Sequence, residues 1–554
     1  MIQRYAALTA ALAAVAVLMT WPLGRVPNAV VPASDDAYFS IWRLAWVAHQ
    51  LPSDPAHLFD ANIFHPQTGT LALSDAMLLV GVLGLPLFKA GVNPAVIHNY
   101  LMIAAFVSSM VCAFALARRL TGSDPAGWLA AIIFGVAPYR MAHIGHLELQ
   151  WTMWMPLAMW LLHRVMEKPA ASRGALLGAA LAAQVLCSIY YGVFLACYLA
   201  IGWLALAPFE RAKGKIAAST AVALVPLLLV ALIYGPPYAR TSEQFGERDP
   251  KEVQAFSAVP ADYLRVPQEN FLRGHAGSGE APDERSLFPG TIAIGLAIIA
   301  FIPPISRIAI TYLGLGLVAA DLSLGVHGLL YSVLQNAFGV ASFRAPARFG
   351  VLVLLSIAVL AAMGAARLYQ RWPRPAPLIS VVLSLLCLGE YWSSPIGVRA
   401  FDPRPTETDT WLAQNAPGTV VLELPAPTGK TLWLHEAKYQ LRSIHHWQPL
   451  VNGYSAFPSQ RYVELINKLP EFPERRVIET LREIGVKYIL IHREYYQAEE
   501  FDRLMLAIDA SSRVLAVRAF GEGGTRIVVV ALNYNPEWVG HWQPPTANFM
   551  RQKI

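Results

Sequence analysis

The sequence predicts a polytopic α-helical membrane protein, with about eleven transmembrane helices followed by a soluble α/β domain. Three observations carry that prediction. Of 554 residues 55% are hydrophobic and 14% charged, with a mean hydropathy of +0.42. Soluble domains carry about 25% charged residues, so the solvent of this chain is largely lipid. Apolar runs of spanning length recur up to residue 394. Beyond Pro395 the composition turns polar and strand-like.

The runs fall at 5–23, 94–118, 125–138, 150–166, 171–187, 189–207, 215–235, 289–303, 307–325, 346–369 and 376–394. Basic clusters punctuate them at Arg118/Arg119, Arg164/Lys168/Arg173, Arg211/Lys213/Lys215, Arg307 and Arg367/Arg371/Arg374. Placing every cluster in the cytoplasm makes the spans alternate, with the N-terminus inside and the C-terminus outside. The first run follows Arg4 and no clean small-x-small cleavage site follows it, so it reads as a retained signal anchor. Met77–Ala90 would break the alternation. With Gly81, Gly84 and Pro86 inside it, it reads as a helix on the outer membrane surface. Ala37–Gln50 reads as a second surface helix, with Trp42 and Trp46 one turn apart as interfacial anchors.

The transmembrane part is thus 1–398, with outer loops at 24–93 and 236–288. The second loop is long and charged, and includes Glu247, Asp262, Glu269, His275, Glu280, Asp283, Glu284 and Arg285. Residues 399–554 form the soluble unit. Its predicted strands are Thr419–Leu424 and Val486–His492, and its clearest helix is Arg475–Gly485, stopped by the glycine. Arg513–Phe520 and Thr525–Leu532 read as a hairpin around residues 521–524. The four cysteines lie in apolar runs without metal-ligand spacing.

The candidate chemistry lies on the outer side. Asp35 and Asp36 stand where the chain leaves the first span for water. One reading makes Ser34, Asp35 or Asp36 a helix cap. The other makes the carboxylate a catalytic base at the membrane surface. In the loop Tyr139–Glu148, His143 and His146 are three apart and Glu148 follows. That spacing could bind a divalent metal, hold phosphate through Arg140 and a histidine, or be a polar interfacial loop. Tyr190-Tyr191-Gly192 occupies the next outer turn, where aromatics usually form an interfacial belt. Ser342-Phe343-Arg344-Ala345-Pro346-Ala347-Arg348 sets two arginines four apart at an outer rim, which suits a phosphate at the membrane surface. The sequence contains no P-loop, GxGxxG, HExxH or GxSxG signature, which argues against a nucleotide cofactor, a zincin or an α/β-hydrolase. The thin spread of the +6 net charge argues against nucleic acid.

Taken in order, the segments Asp36-Ala37-Tyr38-Phe39-Ser40-Ile41-Trp42-Arg43-Leu44-Ala45-Trp46, Phe64-His65-Pro66-Gln67-Thr68-Gly69, Ser74-Asp75, Leu287-Phe288-Pro289-Gly290 and His446-Trp447-Gln448-Pro449-Leu450-Val451-Asn452-Gly453-Tyr454 resemble a bacterial branch of the GT-C superfamily of membrane glycosyltransferases. That superfamily includes protein mannosyltransferases, the aminoarabinose lipid A transferase and oligosaccharyltransferases. The resemblance implies transfer of a sugar from a polyprenyl-phosphate donor to a periplasmic acceptor, in the bacterial inner membrane, with the α/β domain in the periplasm. It places the catalytic acid on Asp36, with Asp35 as neighbour or substitute. Where the family uses a divalent metal (Mg2+ or Mn2+), the counterparts here are His143, His146 and Glu148. Phosphate and substrate contacts map to Arg140, Arg344 and Arg348, with His65, Tyr191 and Glu284. The doubled Asp departs from the better-known members. Two other classes stay open: a transporter or flippase of lipid-linked glycans, and a non-catalytic envelope assembly factor. A transporter should carry ionisable residues mid-span. Asp321 and Glu390 are the notable acids in the predicted spans.

Overall fold

A computed structural model describes residues 2–207, 213–245, 249–274, 282–331, 333, 344–427, 435–458, 460–522 and 525–532. Arg211, Glu247, His275, Glu280, Ser342, Phe343, Gly523 and Gly524, all singled out above, lie outside the described residues. The chain divides into two compact units, Met1–Ser40 with Asp75–Phe401, and Ile41–Ser74 with Asp402–Ile554. The segment 41–74, predicted as part of the first outer loop, therefore belongs with the C-terminal residues.

The first unit is helical, and its helices start and stop where local chemistry directs. In Pro94–Thr121, Asn93 Oδ1 accepts the Ala95 N–H, Pro94 supplies a first turn that needs no donor, and Gly122 closes the end at φ 68°. Its 28 residues, at about 1.5 Å each, reach about 42 Å, ample for an apolar layer of about 30 Å. Ile189–Leu206, Gly214–Thr241 and Pro346–Arg371 are also long and apolar enough to cross a membrane. Tyr5–Met19, Leu78–Lys89, Ala171–Cys187 and Ala376–Tyr391 are shorter apolar helices. The other predicted runs are helical too, and Arg307–Ser323 has 17 residues. Asp124–Val136 has 13 residues and Trp154–Glu167 has 14, while Thr291–Ile299 has 9, about 14 Å. Among the described residues four helices are long and apolar enough to cross a membrane, where about eleven spans are predicted.

A two-stranded antiparallel ribbon completes this unit. β1 (Val30–Pro32) pairs with β2 (Val398–Ala400), so residues just after the first helix meet residues just after the last.

In the second unit, strands β3 (Val420–Leu424), β4 (Val486–His492), β5 (Val514–Glu522) and β6 (Thr525–Leu532) form one sheet in the order β3-β4-β6-β5. β3 and β4 are parallel, and the other pairs are antiparallel. A parallel pair needs a crossover, and Glu436–Arg442, Gln460–Ile466 and Arg475–Glu483 lie on that connection. Arg475–Glu483 buries Val477, Ile478 and Leu481, and the chain turns out of it at Gly485, φ 85°. Leu412, Val421, Leu450, Leu490, Phe520 and Val529 form the core.

Trp42 and Trp46 correct an expectation. They are buried in this second unit, not displayed as interfacial anchors. Trp42 Nε1 donates to Asn62 Oδ1 at 3.3 Å and Trp46 Nε1 to the Leu58 carbonyl at 2.8 Å. Trp46 also packs edge-on against Trp447. An apolar helix face has the same periodicity whether it meets lipid or a folded neighbour.

The motif around Asn452 is structural. Its side chain accepts the Glu423 N–H at 2.7 Å and donates to the Glu423 carbonyl and to Glu436 Oε1. Glu436 Oε2 accepts the Gly453 N–H at 2.8 Å. Burial pushes the Glu436 carboxyl up to about 8, and hydrogen bonds from Asn452, Gly453 and Tyr462 only partly oppose it. The folded chain thus keeps a proton that the unfolded chain releases near 4.5. Stability of this unit should fall as pH rises from about 4.5 to about 8, then level off. Hydrogen exchange of the Val420–Leu424 amides across that window reads the slope. Glu436→Gln should flatten it, and an unchanged slope would contradict the assignment.

Candidate active site

The cavity that collects Asp36, His143, His146 and Glu284 lies within the first unit and holds about 330 Å3. Pro32–Ser34 and Asp36 form one wall, and the loop Met141–His146 another. Pro267, Glu269, Asp283 and Glu284 come from the long polar loop, and Ser393, Ile396 and Gly397 from the approach to β2.

The turn after β1 separates the two aspartates. Ser34 Oγ accepts the Asp36 N–H at 3.1 Å, so Ser34 caps the helix Asp35–Ser53. Asp35 pairs with Arg399 at 2.8 Å, whose guanidinium lies 4.8 Å over the Tyr38 ring. Asp36 lines the cavity and faces His146 Nε2 at 3.6 Å. Gly145 permits this approach, because a Cβ there would come within 2.7 Å of Ser34 Oγ.

His146 lies between two carboxylates, Asp36 on Nε2 and Glu148 Oε1 on Nδ1 at 3.5 Å. Burial opposes its charge, but Asp36 and Glu148 outweigh burial and raise its pKa. His143 differs. Its Nδ1 lies 2.8 Å from the Tyr139 carbonyl, which can only accept, so Nδ1 carries the proton. Burial, reinforced by Arg348 and His146, lowers its pKa to about 4. His143 Nε2 is buried without a partner.

These residues do not fit the metal set that the resemblance implies. An imidazole offers an ion one nitrogen, and the two carboxylates occupy opposite nitrogens of His146. Among the described residues no group of three or more His, Cys, Asp or Glu is placed to hold an ion.

Glu284 sits on the cavity wall with Arg348 Nη2 3.1 Å from its Oε1. Burial works against its charge, yet the Arg348 guanidinium holds the carboxyl at about 2. Asp283 moves the other way, raised by burial and by the carboxylates of Glu269 and Glu284. Behind Arg348, Tyr139 and Tyr191 share a hydroxyl contact of 2.8 Å, and the Tyr139 hydroxyl donates to the Arg348 carbonyl. Tyr191 is fully buried, which corrects the interfacial-belt reading.

The other expected phosphate contacts do not gather here. The three guanidinium nitrogens of Arg140 donate to Gln150 Oε1, Thr152 Oγ1 and the Gln150 carbonyl, and the group stacks over Phe106. Fully buried, with all three nitrogens already donating to these partners, Arg140 does not line the cavity. Arg344 pairs with Glu252 at 3.2 Å. His65 lies in the second unit, with its Nε2 3.1 Å from the Ile484 carbonyl. The acids in predicted spans have local duties: Glu390 accepts the N–H groups of Thr291 and Ile292, and Asp321 those of Leu329 and Leu330. Both cap backbone ends, as acids do at helix N-termini and turns.

Glu269 and Asp283, read in the sequence only as charges of the long outer loop, also enter the site. No spacing connects them to Asp36, and only the tertiary fold brings them together.

Over most of its length the chain is similar to two solved structures. One is an oligosaccharyltransferase from Archaeoglobus fulgidus in complex with Zn and sulfate: 13% identity, 90% of this chain and 69% of that one, TM-score 0.45. The other is ArnT from Cupriavidus metallidurans in the apo state: 13% identity, 96% of this chain and 98% of that one, TM-score 0.47. No family model matches the chain, and no curated protein matches it.

Proposed function

We propose that this protein is an inverting membrane glycosyltransferase. It moves a sugar from a polyprenyl-phosphate donor to an acceptor on the outer, periplasmic face of a bacterial inner membrane. One observation carries the proposal: Asp36 presents its carboxylate to an acid-walled cavity while Ser34 does the capping. The acceptor hydroxyl attacks the anomeric carbon and passes its proton to Asp36. A carbon–oxygen bond forms to the acceptor as the bond to the donor phosphate breaks, and polyprenyl phosphate leaves with the electron pair. His146, held between Asp36 and Glu148, whose carboxylates favour its charged form, brings positive charge beside the reacting groups when protonated. Arg348 neutralises the leaving phosphate once it exchanges its Glu284 partner for it.

Purified protein in liposomes should release polyprenyl phosphate from radiolabelled polyprenyl-phosphate hexose or pentose. Release no faster than in protein-free liposomes, with every donor tried, would contradict the reading. Loss of release in EDTA, restored by Mg2+ or Mn2+, would add a metal that the present arrangement does not accommodate.

Orientation is tested separately. Alkaline phosphatase fused after residue 398 should be highly active, because the basic loops remain inside. An inactive fusion, with a cytoplasmic reporter active at the same point, would place the cavity on the wrong side.

A further inference from the structure

We infer that His143 determines what the cavity binds: its Nε2 accepts a hydrogen from a sugar hydroxyl, in a pocket built for a neutral polyol rather than a phosphate. The choice of a sugar rests on the function proposed above, while the hydrogen-bonding character rests on geometry alone. His143 is 2% exposed and lines the cavity. Its Nδ1–H is held by the Tyr139 carbonyl, so the opposite ring edge is an acceptor, and that atom has no partner. A buried acceptor left without a partner is costly unless a ligand completes it.

The rest of the wall has the same polarity. Asp36, Glu269, Asp283 and Glu284 contribute carboxylates. The side-chain donors are already directed elsewhere: both nitrogens of His146 face carboxylates, Ser34 Oγ points to Asp36, and Ser393 Oγ donates to the Tyr391 carbonyl. A wall that accepts and carries negative charge repels phosphate and suits a ligand rich in hydroxyl donors. The phosphate of the donor then belongs at the edge of this pocket where Arg348 meets Glu284, and the sugar ring inside it.

Two substitutions separate this role from a structural one. His143→Asn keeps an amide N–H near the Nδ1 position, hence the bond to Tyr139, and removes the acceptor edge. His143→Gln places an amide at the Nε2 position and gives up the Tyr139 bond. The sugar-substrate KM should rise about two- to tenfold in His143→Asn, as for one neutral hydrogen bond, with little change in Tm. His143→Gln should stay nearer the wild type in KM. An unchanged KM in His143→Asn, or a larger loss in His143→Gln accompanied by a fall in Tm, would overturn the inference.

A binding readout needs no turnover. Methyl α-D-mannopyranoside and methyl α-D-glucopyranoside are added to the solubilised full chain, beside inorganic phosphate at equal ionic strength. At least one glycoside should raise Tm in the wild type and lose that effect in His143→Asn. No shift from either glycoside, an equal shift in the variant, or a phosphate shift that His143→Asn abolishes would overturn the inference. If the His143-dependent shift appears but no donor is consumed, the sugar pocket stands and the transferase reading falls. If donor is consumed and His143→Asn changes neither KM nor the shift, the transferase reading stands and the pocket assignment falls.

Discussion

Replacing Asp36 with Asn should lower sugar transfer by about 10²–10⁴-fold, the usual cost of removing a general base, while the protein stays folded. Asn keeps the size of the side chain and can still meet the Ser34 hydroxyl, which lies 3.4 Å from Asp36 Oδ2. The helix keeps its cap, because Ser34 supplies it. Asp35→Asn should cost far less. Asp35 pairs with Arg399 at a partly exposed edge, and such ion pairs contribute about 0.2–1 kcal/mol. Turnover and Tm of both variants decide the matter together. Full activity in Asp36→Asn, or activity lost in step with the fold, would remove Asp36 from the chemistry.

Arg348→Ala should destabilise the protein by about 3–5 kcal/mol, more than a surface arginine could. The guanidinium and its Glu284 partner are both nearly buried, so truncating one leaves the other charged and unpaired. Removing both charges, as in Arg348→Met with Glu284→Gln, should recover much of that loss, because the expensive state is the half-pair. In proteoliposomes where the single variant still folds, the donor KM should also rise tenfold or more. Arg344→Ala should cost less stability, since Arg344 and its partner Glu252 are more exposed. Equal stability of the Arg348→Ala chain and the double variant would show that the pair is not the structural element described here. An unchanged donor KM in Arg348→Ala would return that residue to a packing role.

The helices were readable because apolar runs, prolines and glycines act locally. Ala171–Cys187 and β4 fall on their predicted limits, and Asn93-Pro94 and Gly122 bracket a helix as their chemistry requires. The run 289–303 was harder. Hydropathy continues past Ile299 into Pro303-Pro304, but the helix does not, so apolar length overstated the helix. The placement of 41–74 with the C-terminal unit was not readable, because Trp42 and Trp46 bury the same face that lipid would have covered. The site was partly readable. Asp36, His143, His146 and Glu284 line one cavity, whereas Arg140 spends its donors on Gln150 and Thr152, local partners that spacing did not reveal. Glu269 and Asp283 stand more than two hundred residues from Asp36, and no periodicity spans that distance.

The most direct test of Asp36 as a base in a single displacement is the anomeric configuration of the product. A polyprenyl-phosphate donor of known configuration is turned over by the full chain in liposomes, and the one-bond carbon–hydrogen coupling at the anomeric centre is read by NMR. One base and no covalent sugar intermediate predict inversion. Retention of configuration would require a second carboxylate to act as a nucleophile, and would contradict the role given to Asp36.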